Sequence, residues 1–210
     1  STSAEAPVVL ALDANVADGR LIDRTLRDAK LGLNLDVLSG KISGSVDGSA
    51  MLDGYEATLS SQIAVDEVQQ ALKDLNFEIA GTRIFGSVSR AVDTALLTGR
   101  LDVVAPDVSL AAALLLQDAA GSVNAALVLA PVDGTQQVGL TANASGLTVN
   151  DIVVGRADIT GTVSDLFGVP VANGTIAASD VKAAGATITT LNARADQSGD
   201  TTRFDGEAAL

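Results

Sequence analysis

Histidine and cysteine are both missing from the 210 residues of the chain. Without cysteine the protein forms no disulfide, holds no thiolate zinc site and has no cysteine nucleophile. Without histidine it lacks the side chain that serves most often as a general base and as a metal ligand. We therefore expect no catalytic residue, no metal site and no cofactor.

Aromatic side chains are also scarce, at 2% of the chain, although 47% of the residues are hydrophobic. The apolar content is therefore mostly alanine, valine, leucine and isoleucine. Compact globular cores usually draw much of their buried area from aromatic rings. The composition favours a thin, repetitive interior filled by aliphatic side chains.

Positive charge is the third deficit, because 13 Lys and Arg face 26 Asp and Glu, for a net charge of −13. Nucleic-acid binding depends on clustered basic residues that neutralise phosphates, so we expect no nucleic-acid partner. The same excess of negative charge disfavours docking on anionic lipid headgroups.

Long uninterrupted apolar runs are absent as well. The most apolar stretch, 109–123, is broken by Gln117 and Asp118 before it reaches the roughly 20 residues of a membrane-spanning helix. From the first residues we do not expect a signal peptide. We expect it to be a fragment of a longer protein.

Strict alternation of apolar and polar residues is what the chain does have. In its first part Leu10, Leu12, Ala14 and Val16 lie on one face while Asp13 and Asn15 lie on the other, and similar runs recur over most of the 210 residues. This period of two is typical of strands with one buried face, and Gly, Asn or Asp separates the runs. The pattern predicts an all-β fold.

Two glycines mark hairpin turns, Gly54 in "LDGYE" and Gly134 in "PVDGTQ". Asp-Gly between alternating runs is typical of tight antiparallel hairpins. No linker rich in Pro, Gly or Ser divides the chain, so we predict a single β-rich domain over residues 1–210, with an antiparallel sheet.

Two segments depart from alternation. In 64–75, apolar residues at Val65, Val68, Leu72 and Leu75 follow helical spacing and predict an amphipathic helix of about three turns. The Ala- and Leu-rich segment after Pro106, over 106–118, fits either a short buried helix or a turn between strands.

Carboxylates are the one abundant chemical group, and a pair of them could hydrolyse a glycosidic bond. They alternate with apolar residues or fall in turns, where Asp is common, so a solvated role is the simpler interpretation. Representative positions are Asp13, Asp36, Asp53, Asp102, Asp158 and Asp205. With no base to activate the hydroxyl groups, we do not expect an enzyme.

The apolar face of the strands remains as the candidate site. It packs against a second layer in a closed sandwich, or lines a groove in an open, curved sheet, and the sequence leaves both arrangements possible. The residues predicted to line such a groove are Leu10, Leu12, Leu31, Leu33, Leu35, Leu59, Ile63, Leu101, Val103, Val123, Leu127, Leu129, Leu140, Val149, Val154, Ile159, Val163, Ile176, Val181, Ile188 and Leu191.

The long segment 97–196, from "LTGRLDVVAPDVSL" to "TTLNARAD", resembles the periplasmic repeat region of the TamB family of translocation and assembly module subunits. That family belongs to the AsmA-like and bridge-like lipid transfer proteins. The segment "ADGRLIDRTLRDAKLGL" (17–33) is similar to α-proteobacterial members. The resemblance rests on the repetitive alternating composition and on the order of short sequence segments, and it includes no catalytic motif.

The resemblance implies an elongated, folded-over sheet called a β-taco, with a hydrophobic groove for phospholipid acyl chains. It implies a periplasmic location within a protein anchored in the inner membrane, and a TamA or BamA-type barrel protein of the outer membrane as partner. The implied role is phospholipid transport between the membranes and support of outer-membrane protein assembly. The alternative is a structural β-solenoid passenger or adhesin domain of a secreted bacterial protein.

Overall fold

The computed structural model of the chain describes residues 6–21, 24–183, 185–198 and 201–209. These form an open antiparallel sheet of 13 strands whose spatial order is their order in the chain, so the predicted all-β class is confirmed. The strands are β1 Val8–Leu21, β2 Arg24–Leu38, β3 Lys41–Leu52, β4 Tyr55–Val65, β5 Gln69–Ile79, β6 Thr82–Ala91, β7 Leu97–Ala105, β8 Ala119–Val132, β9 Thr135–Val149, β10 Ile152–Ser164, β11 Val171–Ala183, β12 Ala186–Ser198 and β13 Thr201–Ala209.

Two-residue turns of positive φ connect several neighbouring strands. Asp53 and Gly54 have φ of 49° and 87°, and Asp133 and Gly134 have φ of 50° and 76°. Positive φ at both central residues defines the turn whose twist matches that of an antiparallel hairpin, and Asp-Gly tolerates it well. The hairpin turns predicted at Gly54 and Gly134 are therefore confirmed.

The helix predicted over 64–75 is wrong, because the segment is the end of β4, a turn and the start of β5. The carboxylate of Asp66 accepts hydrogen bonds from the backbone N–H groups of Val68 and Gln69, each at 2.8 Å. The Asp66 N–H donates to the Gln69 carbonyl at 2.9 Å and closes the turn. A three-turn helix is marginal by itself, whereas β4 and β6 supply hydrogen-bonding partners for β5 on both sides.

A short helix does occur in the second exceptional segment. Helix α1, Ser109–Leu114, lies between β7 and β8 within the predicted range 106–118. Its one buried residue is Ala112, and the N–H of Val108, just before the helix, donates to the Gly121 carbonyl at 2.8 Å. The helix therefore closes the β7–β8 connection.

β-Bulges shift the alternation at several places in the sheet. Between β8 and β9 the register shifts by one residue between Ala120 and Ser122. As a result Leu127 pairs with Leu140, an even-numbered residue, while Ala119 pairs with Val149, an odd-numbered one. The extra residue of a bulge reverses the alternation, so that even-numbered residues replace odd-numbered ones on a given face of the sheet.

By its internal contacts the chain divides into two compact units, Ser1–Gly99 and Arg100–Leu210, here called the N-terminal and C-terminal units. Buried apolar side chains are few and small among the described residues. They are Ala71, Ala80, Ala105, Ala112, Ala157 and Val181. Five alanines and one valine provide little of the area that stabilises an ordinary globular core.

Candidate functional site

In the C-terminal unit, the predicted lining residues form rows that run across the strands. Residues directly paired in an antiparallel ladder point to the same face, so each row shares a face, and alternate residues of one strand bring neighbouring rows together. The rows are Leu129–Val138–Val163, Leu127–Leu140–Gly161–Gly174–Ala195–Phe204, Ala125–Ala142–Ile159–Ile176–Ala193–Gly206 and Val123–Ala144–Ala157–Ala178–Leu191–Ala208.

A second apolar set lies toward the other ends of the same strands. Gly146 and Asp180, with φ of 58° and 55°, interrupt the alternation between the two sets. The second set consists of the rows Ala119–Val149–Ile152 and Leu147–Val154–Val181–Ile188. Val149, Val154, Val181 and Ile188, all predicted lining residues, therefore cluster together.

The N-terminal unit carries the same arrangement. Here too the predicted residues of β1, β2 and β4 fall into rows that share one face. The rows are Leu10–Leu35–Gly44–Ile63–Leu72–Val88, Leu12–Leu33–Val46–Ser61 and Ala14–Leu31–Gly48–Leu59–Phe77–Ile84. The structure thus places on one face of the sheet the residues Leu10, Leu12, Leu31, Leu33, Leu35, Leu59 and Ile63.

Two predicted residues, Leu101 and Val103, are not joined to these rows by the described cross-strand pairs. Both lie half-buried in β7 of the C-terminal unit. Between them Asp102 accepts hydrogen bonds from Arg100, with Nε 2.9 Å from Oδ2. Alternation in β7 therefore places Leu101 and Val103 on one face and the ion pair on the other.

Partial exposure is the physical property that the lining residues share. Only Val181 is buried, at 8% exposure, while Leu10, Leu12 and Leu31 are exposed at 52%, 55% and 41%. All other predicted lining residues are half-buried. Side chains between two packed sheets would be almost fully covered, so in neither unit is the apolar face sealed by a second layer.

Several residues of the apolar face escaped the sequence analysis. Phe77, Ile84 and Val88 belong to rows of the N-terminal unit, and Phe77 and Ile84 pair across the β5–β6 hairpin. The missed signal was the turn at Ala80 and Gly81, with φ of 49° and 72°. The incorrect helix prediction over 64–75 occupied the first half of β5, so no strand was predicted there with which β6 could form a hairpin.

Two polar residues are buried: Ser61, which lies within an apolar row, and Gln136, which pairs with Pro131 beside the Leu129–Val138 row. Ser61, 3% exposed, donates a hydrogen bond to the Lys73 carbonyl at 3.0 Å. Gln136, 1% exposed, donates from Nε2 to the Gln137 carbonyl at 3.0 Å. Buried polar groups are tolerated when they are hydrogen-bonded, so both residues fit within an otherwise aliphatic face.

The opposite face of the C-terminal unit is polar. Its rows include Asn124–Asn143–Asp158–Ala177–Asn192–Glu207 and Ala126–Thr141–Thr160–Thr175–Arg194–Asp205. A concavity of about 460 Å³ on β10–β13 is lined mainly by these side chains. This hollow therefore lies on the face opposite the predicted groove and is distinct from it.

Several carboxylates on the polar face and in the turns have local hydrogen-bonding partners. The Arg194 Nε lies 2.6 Å from Asp196 Oδ2, and this hydrogen bond lowers the pKa of Asp196. In the turn after β3, a hydrogen bond from the Thr25 N–H lowers the pKa of Asp53, and Arg24 acts in the same direction. These acids remain ionised at neutral pH, as suits solvated structural roles.

Among the described residues, no group of three or more acidic side chains is arranged to hold a metal ion. Within the same residues, α1 is far too short to cross a bilayer, and no other helix qualifies as a membrane span. No family model, curated protein or solved structure matches the chain.

Proposed function

We propose that the chain is a hydrophobic-groove segment of a periplasm-spanning protein that carries phospholipid between the inner and outer membranes. The observation that carries the proposal is the aliphatic face, which extends across successive strands of each unit and stays half-exposed. Large exposed apolar surfaces mark sites that bind other molecules. Here the bound molecule is the acyl chain of a phospholipid.

Acyl chains suit this face because they need no polar recognition. Each buried methylene group contributes about 0.8 kcal/mol, so a long aliphatic surface binds a lipid tail without any charged or hydrogen-bonding side chain. The polar rows on the other side of the C-terminal unit keep that side in water. A function of this kind requires neither a catalytic residue nor a cofactor.

Further parts of the proposal come from the family resemblance in the sequence. They are a folded-over sheet that encloses the groove, a periplasmic location in an inner-membrane-anchored protein, and support of outer-membrane protein assembly with a TamA or BamA-type partner. The antiparallel order of the strands is compatible with such a sheet.

The alternative, a structural β-solenoid passenger or adhesin domain, has less support. A β-solenoid stacks parallel rungs, whereas this chain is an antiparallel series of neighbouring strands. A solenoid also fills its interior, while the apolar side chains here are mostly half-exposed.

Mass spectrometry of lipid extracted from the purified chain tests the proposal. After incubation with phospholipid vesicles and separation from them, we expect phospholipid to remain bound to the chain. A protein of similar size with a closed core serves as the background control. A folded chain that retains no more phospholipid than this control would contradict the proposal.

A further inference from the structure

The connection between β10 and β11 in the C-terminal unit, residues 165–170, is an apolar loop of sequence DLFGVP. Every residue after Asp165 is exposed. Phe167 and Val169 are exposed at 64% and 66%, and Leu166 at 37%. The chain has only four phenylalanines, one tyrosine and no tryptophan. The loop therefore exposes one of the few aromatic rings of the chain to solvent.

Hydrogen bonds fix the conformation of this loop. The Leu166 N–H donates to the Gln136 carbonyl of β9 at 3.0 Å, and the Gly168 N–H donates to the Asp165 carbonyl at 3.0 Å. The Asp165 carboxylate accepts from the Val169 N–H, also at 3.0 Å. A side chain at position 168 would collide with this carboxylate, since an added Cβ would lie 2.5 Å from each of its oxygens. Exposure of the apolar side chains is therefore a built feature of the loop.

The same hydrogen bonds suit the loop backbone to an apolar environment. An N–H group without a partner is costly to remove from water. Three of the five residues 166–170 donate their N–H groups within the protein, and Pro170 has none to donate. The one charged group of the loop, the Asp165 carboxylate, is half-buried and bonded to the loop's own backbone. Transfer of the loop out of water is therefore inexpensive.

Charged residues are sparse around this end of the C-terminal unit. The β8–β9 turn lies at the same end, because the loop is bonded to Gln136 at the start of β9. In the sequence, Asp133 is the only charged residue within 126–145, and Asp165 is the only one within 159–175. Over the whole chain 19% of the residues are charged. A lipid surface that meets this end therefore meets few of the acidic groups of the chain.

We propose that residues 166–170 insert into the interfacial region of a lipid bilayer with zwitterionic headgroups. Exposed phenylalanine and aliphatic side chains partition to the boundary between headgroups and acyl chains. A protein partner fits less well, because a stable interface needs about 800 Å² on each side, more than five residues offer. The inference does not rest on the proposed groove, because the loop lies outside the rows of lining residues.

A tryptophan reporter tests the contact, because the chain has no tryptophan of its own. In Phe167→Trp, vesicles of phosphatidylcholine should shift the fluorescence to shorter wavelength, since the indole ring leaves water. Val68→Trp is the matched control. Val68 is 73% exposed in the turn between β4 and β5, where it follows Asp66 and Glu67. The fluorescence of this control should not shift.

Flotation with the same vesicles measures the affinity. Replacing both loop side chains, Phe167→Ser and Val169→Ser, should lower the affinity for vesicles by at least about tenfold, because less apolar surface enters the bilayer. Leu140→Arg, which alters the proposed groove and leaves the loop intact, should bind vesicles as the native chain does. Circular dichroism verifies that the sheet persists in each variant.

Several results would overturn the proposal. Equal shifts in Phe167→Trp and Val68→Trp, or no shift in Phe167→Trp, would show that the loop does not enter the bilayer. Undiminished flotation of the folded variant with both serine replacements would show the same. Flotation lost in folded Leu140→Arg alone would assign vesicle binding to the apolar face. Self-association that the serine replacements abolish, without vesicle binding, would assign the loop to a contact between proteins.

Discussion

Replacing Leu140 with arginine is expected to leave the chain folded and to remove most of its bound phospholipid. Leu140 is half-buried, between Leu127 and Gly161 in a row of the apolar face. Because this face is not sealed, the long arginine side chain can bring its guanidinium group to water, which limits the loss of stability. The charge then occupies the surface on which an acyl chain would lie.

The loss of lipid should be large. Displacing two or three methylene groups, at about 0.8 kcal/mol each, lowers affinity by roughly tenfold to fiftyfold. Quantitative mass spectrometry of phospholipid bound per chain measures the effect, and circular dichroism shows whether the sheet persists. Ile159→Arg, in the neighbouring row, should behave in the same way.

Thr141→Arg is the matched control, since Thr141 is exposed on the polar face one residue away. It should retain both the fold and the bound lipid. If Leu140→Arg unfolds the chain while Thr141→Arg does not, the apolar face is a sealed core. If folded Leu140→Arg keeps its lipid, the apolar face does not bind it.

Replacing Gly44 with alanine is expected to destabilise the N-terminal unit by about 2–3 kcal/mol, as overpacking does at a site without space. An added Cβ at Gly44 would overlap the Asn34 carbonyl oxygen on β2, so the strands would have to separate. Urea denaturation followed by circular dichroism measures the change.

Gly48→Ala, four residues further along β3, is the control for the effect that any glycine-to-alanine replacement has on the unfolded chain. There an added Cβ would lie 3.5 Å from the Lys30 carbonyl oxygen and 3.7 Å from the Leu59 Cβ, which are ordinary contacts. Stability should be unchanged or higher by about 0.4–1 kcal/mol, because alanine restricts the unfolded chain. If the two variants had equal urea midpoints, β2 and β3 would not approach each other as closely as described.

The sequence was sufficient to predict the faces of most strands. Leu31, Leu33 and Leu35 alternate in β2, and the structure places all three in rows on one face. The predictive power comes from the period of two, which is a local property of the chain. The Asp-Gly turns at Gly54 and Gly134 also predicted that the strands they connect run antiparallel.

The segment 64–75 shows where local patterns are insufficient. Val65, Val68 and Leu72 have helical spacing, yet Leu72 pairs with Ile63 and Val88 in the apolar rows, and Val68 is 73% exposed at a turn. The decisive interactions are hydrogen bonds to two neighbouring strands. These depend on the sheet as a whole and leave no period in the segment itself.

Coverage of the apolar face was likewise beyond sequence analysis. Leu127 and Ile159 have the same alternation whether a second sheet lies over them or not. Their partial exposure follows from the arrangement of complete strands. The bulges that change the numbering of the faces, as between Ala120 and Ser122, also left no recognisable signal.

Photocrosslinking of the chain to phospholipid tests most directly the central claim that the apolar face binds lipid. A photoreactive amino acid is placed singly at Leu33 and Ile159 on the apolar face, and at their neighbours Asn34 and Asp158, which alternate with them. Each chain is incubated with phospholipid vesicles, separated from them, irradiated and examined by mass spectrometry. We expect lipid adducts at Leu33 and Ile159 and at most background levels at Asn34 and Asp158. Equal labelling of both faces, or labelling of neither, would contradict a lipid-binding apolar face.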